Sequence, residues 1–211
     1  MRIVDVKQRS DEWFAARLGI PTASELDSLV TPLGKVREGD GVQSYLSRKL
    51  AERWTEMPIE GGGSWSMEQG GFLEDEALPW YELRHNVDVT QVGLVLNDEG
   101  TFGASPDGLV MDGDRVRYGL EIKCPQPPNH VKWLLGGEVP KDYLLQCYGG
   151  MFVTGAPAWV FLSYHRKFPP LVVRLERDEK MMSAIGEAVS AFADRMREGW
   201  DRLLLAEGGA G

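Results

Sequence analysis

The chain has 211 residues, 43% of them hydrophobic, and a formal net charge of −9. A chain of this length can bury a sizeable core, and residues 1–205 are expected to form a single domain. No apolar run approaches membrane-spanning length, and residues 1–5 lack the apolar stretch of a signal peptide, so a cytoplasmic location is expected. The acidic balance excludes a uniformly basic nucleic-acid-binding surface, so a surface that binds DNA would have to be local.

The first predicted helices carry a candidate anion site. Thr22 and Glu25 stand in a capping-box pattern, which places Ser24 in the first turn of a helix that runs through Leu29. The exposed amides and the positive dipole end of that turn would suit a phosphate, and the guanidinium of Arg17 would complete the site. On the residues alone, an equally good interpretation is that Arg17 caps the helix before it.

Residues 31–41 are predicted to form a flexible loop, followed by a helix. Lys35 and Arg37 in the loop are candidate DNA contacts, although a solvated loop is the more common meaning of such a run. The helix has an apolar stripe at four-residue spacing that indicates core packing and nothing more specific. The stripe consists of Val42, Leu46, Leu50 and Trp54.

A further predicted helix has a carboxylate on its apolar side. Glu74 falls within an apolar arc at 100° per residue, whereas Asp75 and Glu76 fall outside it. A carboxylate on the core-facing side needs a partner, and a shared metal ion would provide one. The arc is formed by Leu73, Ala77, Leu78, Trp80 and Tyr81.

The most informative segments are Ser-Pro-Asp-Gly-Leu at 105–109 and Leu-Glu-Ile-Lys-Cys-Pro at 120–125. An acidic turn separates them, so they are predicted to be neighbouring antiparallel strands with Asp107 beside Glu121. Because side chains alternate along a strand, Glu121 and Lys123 point to the same face. Two carboxylates and an ammonium would then share one small site.

Two carboxylates this close repel each other unless a cation lies between them, and their oxygens suit Mg²⁺ or Mn²⁺. In the alternative interpretation Glu121 and Lys123 form a solvated strand face and Asp107 is a turn residue; the short pattern alone supports both about equally. Zinc is not indicated, because no His/Cys arrangement is present. Cys124 and Cys147 are expected to be buried reduced thiols, and two cysteines are too few for an iron–sulfur cluster.

The rest of the chain predicts a sheet closed by a long helix. Residues 140–153 are predicted to be a helix, and residues 159–164 and 171–175 two strands, which with the hairpin gives an α/β (α+β) fold with a mixed sheet of four or five strands flanked by helices. The last helix begins near Asp178, and residues 206–211 are expected to be disordered. Its apolar residues suit packing within its own subunit at least as well as an interface. They are Met182, Ile185, Val189, Phe192, Met196, Trp200 and Leu203.

These motifs resemble, in kind and in order, those of the PD-(D/E)xK nuclease superfamily, in the branch that contains lambda exonuclease and the YqaJ-type viral recombinases. The similarity runs from about residue 8 to the start of the last helix. RecB-type nucleases of the superfamily place a tyrosine four residues after a late glutamine, but Gly150 stands there in this chain, so that variant is absent. The resemblance is carried by residues 8–13 with Arg17 and residues 22–24, by Glu74, by segments 105–109 and 120–125, and by Gln146 within residues 143–148.

The resemblance implies a restriction-endonuclease-like core and assigns roles to individual residues. Asp107, Glu121 and the backbone carbonyl of Ile122 would hold a metal ion, and Glu74 would contribute to a second metal site. Lys123 and Gln146 would position the attacking water.

For the substrate, the resemblance implies a pocket for a terminal 5′-phosphate made of Arg17, Ser24 and Ser105. It also implies that Trp65 or Met67 inserts between the terminal base pairs as a strand-splitting wedge. An ordinary buried Met or Trp is the better interpretation of those two residues on composition, because large apolar side chains usually belong to the core.

The expected function is a Mg²⁺-dependent 5′→3′ exonuclease, with Mn²⁺ as a substitute metal, which degrades the 5′-phosphorylated strand of duplex DNA and leaves 3′ overhangs for recombination by strand annealing. By resemblance, the enzyme would be a ring-shaped homotrimer around DNA, phage- or prophage-encoded, with a phage single-strand annealing protein as partner. One alternative is a structure-specific endonuclease of the same superfamily. Another is a non-catalytic DNA-end-binding protein, which is disfavoured because clustered acids repel phosphate.

Overall fold

The computed structural model describes the backbone of residues 1–59 and 66–208, and the side chains of residues 1–59 and 75–208. The mixture of helices and strands within these residues confirms the predicted α/β fold class. In chain order the elements are β1 (Arg2–Val4), α1 (Asp11–Arg17), a 3-10 helix (Ala23–Ser28), α2 (Asp40–Thr55), α3 (Ser66–His85), β2 (Leu94–Leu96), β3 (Gly103–Ala104), β4 (Gly108–Asp112), β5 (Arg115–Lys123), α4 (Pro127–Gly136), α5 (Lys141–Thr154), β6 (Ala158–Ser163), β7 (Leu171–Glu176) and α6 (Glu179–Gly208).

The central sheet has four strands in the order β4-β5-β6-β7. β4 and β5 are antiparallel, as predicted for the hairpin, whereas β5 and β6 are parallel and β6 and β7 antiparallel. A parallel pair needs a crossover connection, and this one contains α4 and α5. The prediction of a mixed sheet flanked by helices is therefore confirmed.

A second, small antiparallel sheet has the order β1-β2-β3 and was not predicted. Its strands have two or three residues each, which is too short for an alternating hydrophobic pattern to show. Helix α4 was also missed, because the Pro127-Pro128 pair at its start resembles a turn, although proline is favoured in the first turn of a helix. Strand β3 ends at Ala104 and so leads directly into Ser105 and Asp107.

Different helices cover the two faces of the central sheet. On β5, Leu120 and Ile122 pack with Ala77 and Tyr81 of α3. Side chains alternate along a strand, so Glu121 points to the opposite face, on which α5 packs. Glu121 and Lys123 therefore lie on the α5 face of the sheet.

The side chain of Trp159 in β6 lies between β5 and α5 and leaves no room for a side chain at two glycine positions. A Cβ atom on Gly119 would lie 2.3 Å from the indole ring, and one on Gly150 would lie 2.5 Å from it. Gly150 occupies the position at which RecB-type nucleases carry a tyrosine, and here the indole fills the room that such a side chain needs. This close packing holds α5, and Gln146 with it, against the sheet.

The helices at the periphery differ from prediction at their ends. Helix α2 begins at Asp40, inside the predicted loop, and its apolar stripe is buried at Val42 and Leu46. Trp54 is 38% exposed because it lies in the last turn, where its ring packs edge-on against Trp200. The stripe is thus core over most of its length and surface at its end.

Helix α6 starts as predicted, with the Asp178 carboxylate accepting hydrogen bonds from the amides of Lys180 and Met181. The prediction of disorder from residue 206 was wrong for residues 206–208, where the helix continues to Gly208 because Ala and Glu are good helix formers. The apolar residues of α6 pack in the core of their own chain as far as Met196, whereas Leu203 is exposed.

Two further observations bear on the sequence expectations. Cys124 and Cys147 form no disulfide. Among the described helices, none is long and apolar enough to cross a lipid bilayer.

Candidate active site

The β4–β5 hairpin brings Asp107 and Glu121 side by side, as predicted. Gly108 pairs with Leu120 in the ladder, and the Asp107 amide donates to the carbonyl of Leu120 at 3.1 Å. The Asp107 carboxylate in turn accepts a hydrogen bond from the amide of Ile122 at 2.5 Å. Asp107 is therefore held on both its backbone and its side chain by the strand that carries Glu121.

Glu121 and Lys123 form an ion pair on the α5 face of β5. Glu121 is only 2% exposed, and a carboxylate buried to this extent is costly unless a cation accompanies it. The Lys123 ammonium lies 5.3 Å from the ring centre of Tyr143 on α5, within the range of a cation–π contact. Tyr143 itself stacks on Phe161 of β6, so the lysine faces a fixed aromatic wall.

Helix α5 also carries Gln146. Gln146 is three residues after Tyr143, so the two residues lie on the same side of the helix. Burial raises the pKa of the Cys147 thiol well above its usual value, and the negative charge of Glu121 adds to the effect. No hydrogen bond joins the half-buried Gln146 side chain to the described residues, so its amide can serve a ligand.

A second polar group lies beside the hairpin and is built around Arg17, the last residue of α1. Its guanidinium donates to Ser105 Oγ and to Thr22 Oγ1, each at 3.3 Å, and lies 4.1 Å above the ring of Trp13. Thr22 Oγ1 is 3.1 Å from Ser24 Oγ. We call Arg17, Thr22, Ser24 and Ser105 together the Arg17 seat.

The guanidinium of Arg17 has no carboxylate within 4 Å among the described residues. Burial lowers the pKa of Arg17, while the charge of Glu25, the first of its charged neighbours, acts in the opposite direction. A partly buried cation whose contacts are two hydroxyls and an aromatic ring has unused capacity for an anion. Arg17 therefore does more than cap α1, where Leu18 takes the cap position.

The predicted capping box at Thr22 is not formed. Residues Ala23–Ser28 make a six-residue 3-10 helix, and Thr22 makes no capping hydrogen bond from its side chain. The Thr22 hydroxyl is engaged by Arg17 and Ser24 instead, and it also donates to Glu25 Oε2 at 3.4 Å. So short a helix has a weak dipole, so the positive charge of the seat comes from Arg17.

Two residues of the opening motif have contacts that were not predicted. Gln8 donates from Nε2 to the carbonyls of Val92 and Pro106, both at 2.8 Å. Trp13 donates from Nε1 to Ser105 Oγ at 3.0 Å and to the carbonyl of Gly93 at 2.9 Å. All four acceptors are distant in sequence from Gln8 and Trp13. No local sequence pattern could therefore predict these contacts, and only the family resemblance marked this segment.

Several predicted site residues are not brought to the group. Lys35 and Arg37 are exposed in the turn after the 3-10 helix, where backbone hydrogen bonds to Thr31 and Leu29 fix the loop. Trp65 and the side chain of Met67 lie outside the described residues. The side chain of Glu74 also does, and the described part of α3 covers the sheet face opposite Glu121. The roles of these residues remain predictions.

Residues 12–157 match the model of the YqaJ-like viral recombinase domain. The chain belongs to this family. The crystal structure of an alkaline exonuclease, LHK-Exo from Laribacter hongkongensis, is similar with a TM-score of 0.81 and 30% identity over 96% of this chain and 100% of that one. A structure of LHK-Exo in complex with dAMP has the same similarity and coverage. No match is found among curated proteins.

A phage-related exonuclease from Haemophilus somnus 129PT has the same fold, with a TM-score of 0.64 and 15% identity over 87% of this chain and 96% of that one. Family membership and the similarity to LHK-Exo identify the chain as an exonuclease. Nucleases of this kind generally use a divalent metal.

The described donors suit a hard cation. Asp107, just before β4, and Glu121 of β5 offer carboxylate oxygens, and the backbone carbonyl of Ile122 follows Glu121 on the same strand. Mg²⁺ is typically bound through one or two carboxylates and keeps several waters. Outside residues 60–74, whose side chains are not described, no group of three or more His, Cys, Asp or Glu side chains is arranged to hold a metal.

Proposed function

We propose that this member of the YqaJ-like family is a 5′→3′ exonuclease that degrades the 5′-phosphorylated strand of duplex DNA and leaves 3′ overhangs. The contact between Arg17 and Ser105 is the main support. Ser105 precedes Asp107 by two residues, which span at most roughly 7 Å of backbone. This is the scale of one nucleotide step, so a terminal phosphate on Arg17 would bring the adjacent phosphodiester to Asp107.

The metal in this proposal is Mg²⁺, with Mn²⁺ as a substitute. Asp107, Glu121 and the Ile122 carbonyl would hold it, and Glu74 would contribute to a second site. When bound, such an ion neutralises charge on the phosphoryl oxygens and makes a water more acidic. The acidic pair of Asp107, just before β4, and Glu121 of β5 is the reason that a cation is expected at this position.

The remaining residues orient the reactants. Lys123, held between Glu121 and the ring of Tyr143, would donate hydrogen bonds to the attacking water and to the oxygen on which negative charge develops. The Gln146 amide would fix the position of that water from α5. Asp107 stays in place because its carboxylate accepts from the Ile122 amide.

The test compares three substrates under identical conditions: linear duplex with 5′-phosphate ends, the same duplex with 5′-hydroxyl ends, and closed circular plasmid. We expect nucleotide release from the first substrate to be fastest and the plasmid to stay intact. Nicking of the plasmid would favour a structure-specific endonuclease. Equal rates on the two linear substrates would remove the 5′-phosphate from the proposal.

Because the net charge is acidic, the proposal also includes an oligomeric assembly that holds the enzyme on DNA. A chain with a net charge of −9 repels duplex DNA at long range, while local attractions decay over roughly 8 Å at physiological salt. A homotrimeric ring around the DNA would keep the enzyme on its substrate and requires only one repeated heterologous interface. It would act in the cytoplasm of a bacterial host with a phage annealing protein that covers the 3′ strand. Sedimentation at three times 23.5 kDa supports the ring, and a monomer at working concentration contradicts it.

A further inference from the structure

Glu25 lies near the Arg17 seat, and its carboxylate could block the seat by pairing with the guanidinium of Arg17. Thr22 Oγ1 accepts from Arg17 Nη2 at 3.3 Å and donates to Glu25 Oε2 at 3.4 Å. A single hydroxyl group therefore stands between the carboxylate and the guanidinium. A direct ion pair between them would use the donors that a phosphate needs.

Helix α2 holds the Glu25 carboxylate away from Arg17. Arg48 Nη2 lies 2.8 Å from Glu25 Oε1. Lys49 Nζ lies 2.8 Å from Oε2, and the Tyr45 hydroxyl donates to the same oxygen at 3.1 Å. Both carboxylate oxygens thus accept shorter contacts from donors of α2, and Oε2 keeps only the longer 3.4 Å hydrogen bond from Thr22 on the side of the seat.

The same group of residues is tied to the loop that follows Arg17. Lys49 also pairs with the buried Glu52 at 3.1 Å, and Glu52 accepts a hydrogen bond from the Gly19 amide at 3.3 Å. Gly19 has a φ of +70°, and a Cβ on it would lie 2.7 Å from Cβ of Arg53. The loop and α2 are therefore in direct contact, which fixes the distance between Arg17 and the donors to Glu25.

The charges of this group leave one cation over. Three cations and two carboxylates are linked here, and both carboxylates are engaged by the cations of α2. Arg17, the member that faces Ser105, is therefore the cation of this group that makes no direct ion pair with either carboxylate. The cations are Arg17, Arg48 and Lys49, and the carboxylates are Glu25 and Glu52.

We propose that Tyr45, Arg48 and Lys49 form a clamp that withholds Glu25 from Arg17 and so keeps the Arg17 seat open for the terminal phosphate of the substrate. This inference rests on the proposed function, because it assigns positioning residues to the 5′-phosphate preference. Without the clamp, Glu25 turns to the guanidinium and competes with the phosphate. The clamp residues do not touch the substrate.

The test measures the dissociation constants of 5′-phosphorylated and 5′-hydroxyl hairpin duplexes by fluorescence anisotropy, without divalent metal so that no cleavage occurs. The variants are Arg48→Met and Lys49→Met, each alone and combined with Glu25→Gln. Arg53→Met is the matched control, because it removes an arginine from the same helix and Arg53 makes no ion pair within the described part of the chain. Thermal melting reports whether each variant is folded.

We expect Arg48→Met and Lys49→Met to reduce the preference for the phosphorylated end by roughly tenfold, the size of one charge-assisted hydrogen bond. Adding Glu25→Gln should restore the preference in both, because an amide does not compete for the guanidinium. Arg53→Met should keep the wild-type ratio. Lys49 is only 5% exposed and its removal leaves Glu52 without its cation, so Arg48→Met decides the test if Lys49→Met does not fold.

The outcomes separate the clamp from the proposed function. An unchanged ratio in a folded Arg48→Met variant, or no restoration by Glu25→Gln, overturns the clamp while the seat stands. If Arg48→Met weakens the binding of 5′-phosphorylated and 5′-hydroxyl duplexes equally, Arg48 has a merely structural role, and the clamp is also overturned. If the wild-type protein binds both ends equally, the 5′-phosphate proposal fails and the clamp fails with it.

Discussion

The two halves of the candidate active site are assembled in different ways. The hairpin that carries Asp107, Glu121 and Lys123 is fixed by a backbone ladder between adjacent strands. The Arg17 seat joins three chain segments through side-chain hydrogen bonds, and the Ser105 hydroxyl accepts from both Arg17 and the neighbouring Trp13. Backbone hydrogen bonds between strands tolerate most side-chain substitutions. The Arg17 seat instead depends on individual side chains, some of which are distant in sequence.

The halves also differ in charge. The hairpin has two carboxylates for one ammonium and so favours a cation, while the seat has a guanidinium without an ion pair among the described residues and favours an anion. Ser105 and Asp107 are two residues apart, so the opposite preferences lie next to each other. A substrate end that is anionic and needs a metal to be cleaved matches both at once.

The largest effect is expected at the hairpin. Asp107→Ala or Lys123→Ala should lower the rate of nucleotide release by roughly a hundredfold or more, because each removes a group placed where charge develops. Melting temperature should change little in Asp107→Ala, whereas Lys123→Ala removes the cation from the buried Glu121 and should lower it, so Asp107→Ala decides the test if Lys123→Ala does not fold. Matched controls are Asp114→Ala in the exposed turn and Lys132→Ala on the exposed face of α4. Turnover above about a tenth of wild type in both variants would refute the catalytic assignment.

The sequence predicted the hairpin better than it predicted the Arg17 seat. The hairpin, its turn and the shared face of Glu121 and Lys123 are local, so strand alternation and turn chemistry predicted them correctly. The meeting of Arg17 with Ser105 was expected only from the family resemblance, because strands of two and three residues carry no readable pattern. The resemblance also gave no role to Gln8, whose partners become visible only in the folded chain.

The seat itself should show the next largest effect. Arg17→Ala should reduce the ratio of rates on 5′-phosphorylated and 5′-hydroxyl duplex by roughly tenfold, because it removes the only cation of the seat. Initial rates on the two substrates measure the ratio directly. Arg197→Ala, at an exposed ion pair on α6, is the control. A variant that keeps the wild-type ratio would leave Arg17 with a structural role alone.

A change between the halves should affect both together. Gln8→Met removes two hydrogen bonds, one of them to the carbonyl of Pro106, which lies between Ser105 and Asp107. Each is worth about 1 kcal/mol, so activity should fall several-fold on both substrates while their ratio stays constant. Gln91→Met, at an exposed position, should behave as wild type. A fall in the ratio would instead assign Gln8 to the seat alone.

A final pair of substitutions separates the aromatic ring of Trp13 from its N–H group. Trp13→Phe keeps a ring beneath the Arg17 guanidinium but removes the Nε1 donor to Ser105 Oγ and to the Gly93 carbonyl. Ser105 then loses one of the two donors that fix its hydroxyl, which should lower the 5′-phosphate preference by about fivefold, the equivalent of one neutral hydrogen bond. Trp13→Leu, which removes the ring as well, should lower it further, because the guanidinium also loses its stacking partner. Equal ratios in Trp13→Leu and wild type, measured by initial rates, would show that Arg17 and Ser105 hold their positions without the indole, and that the seat is as rigid as the hairpin.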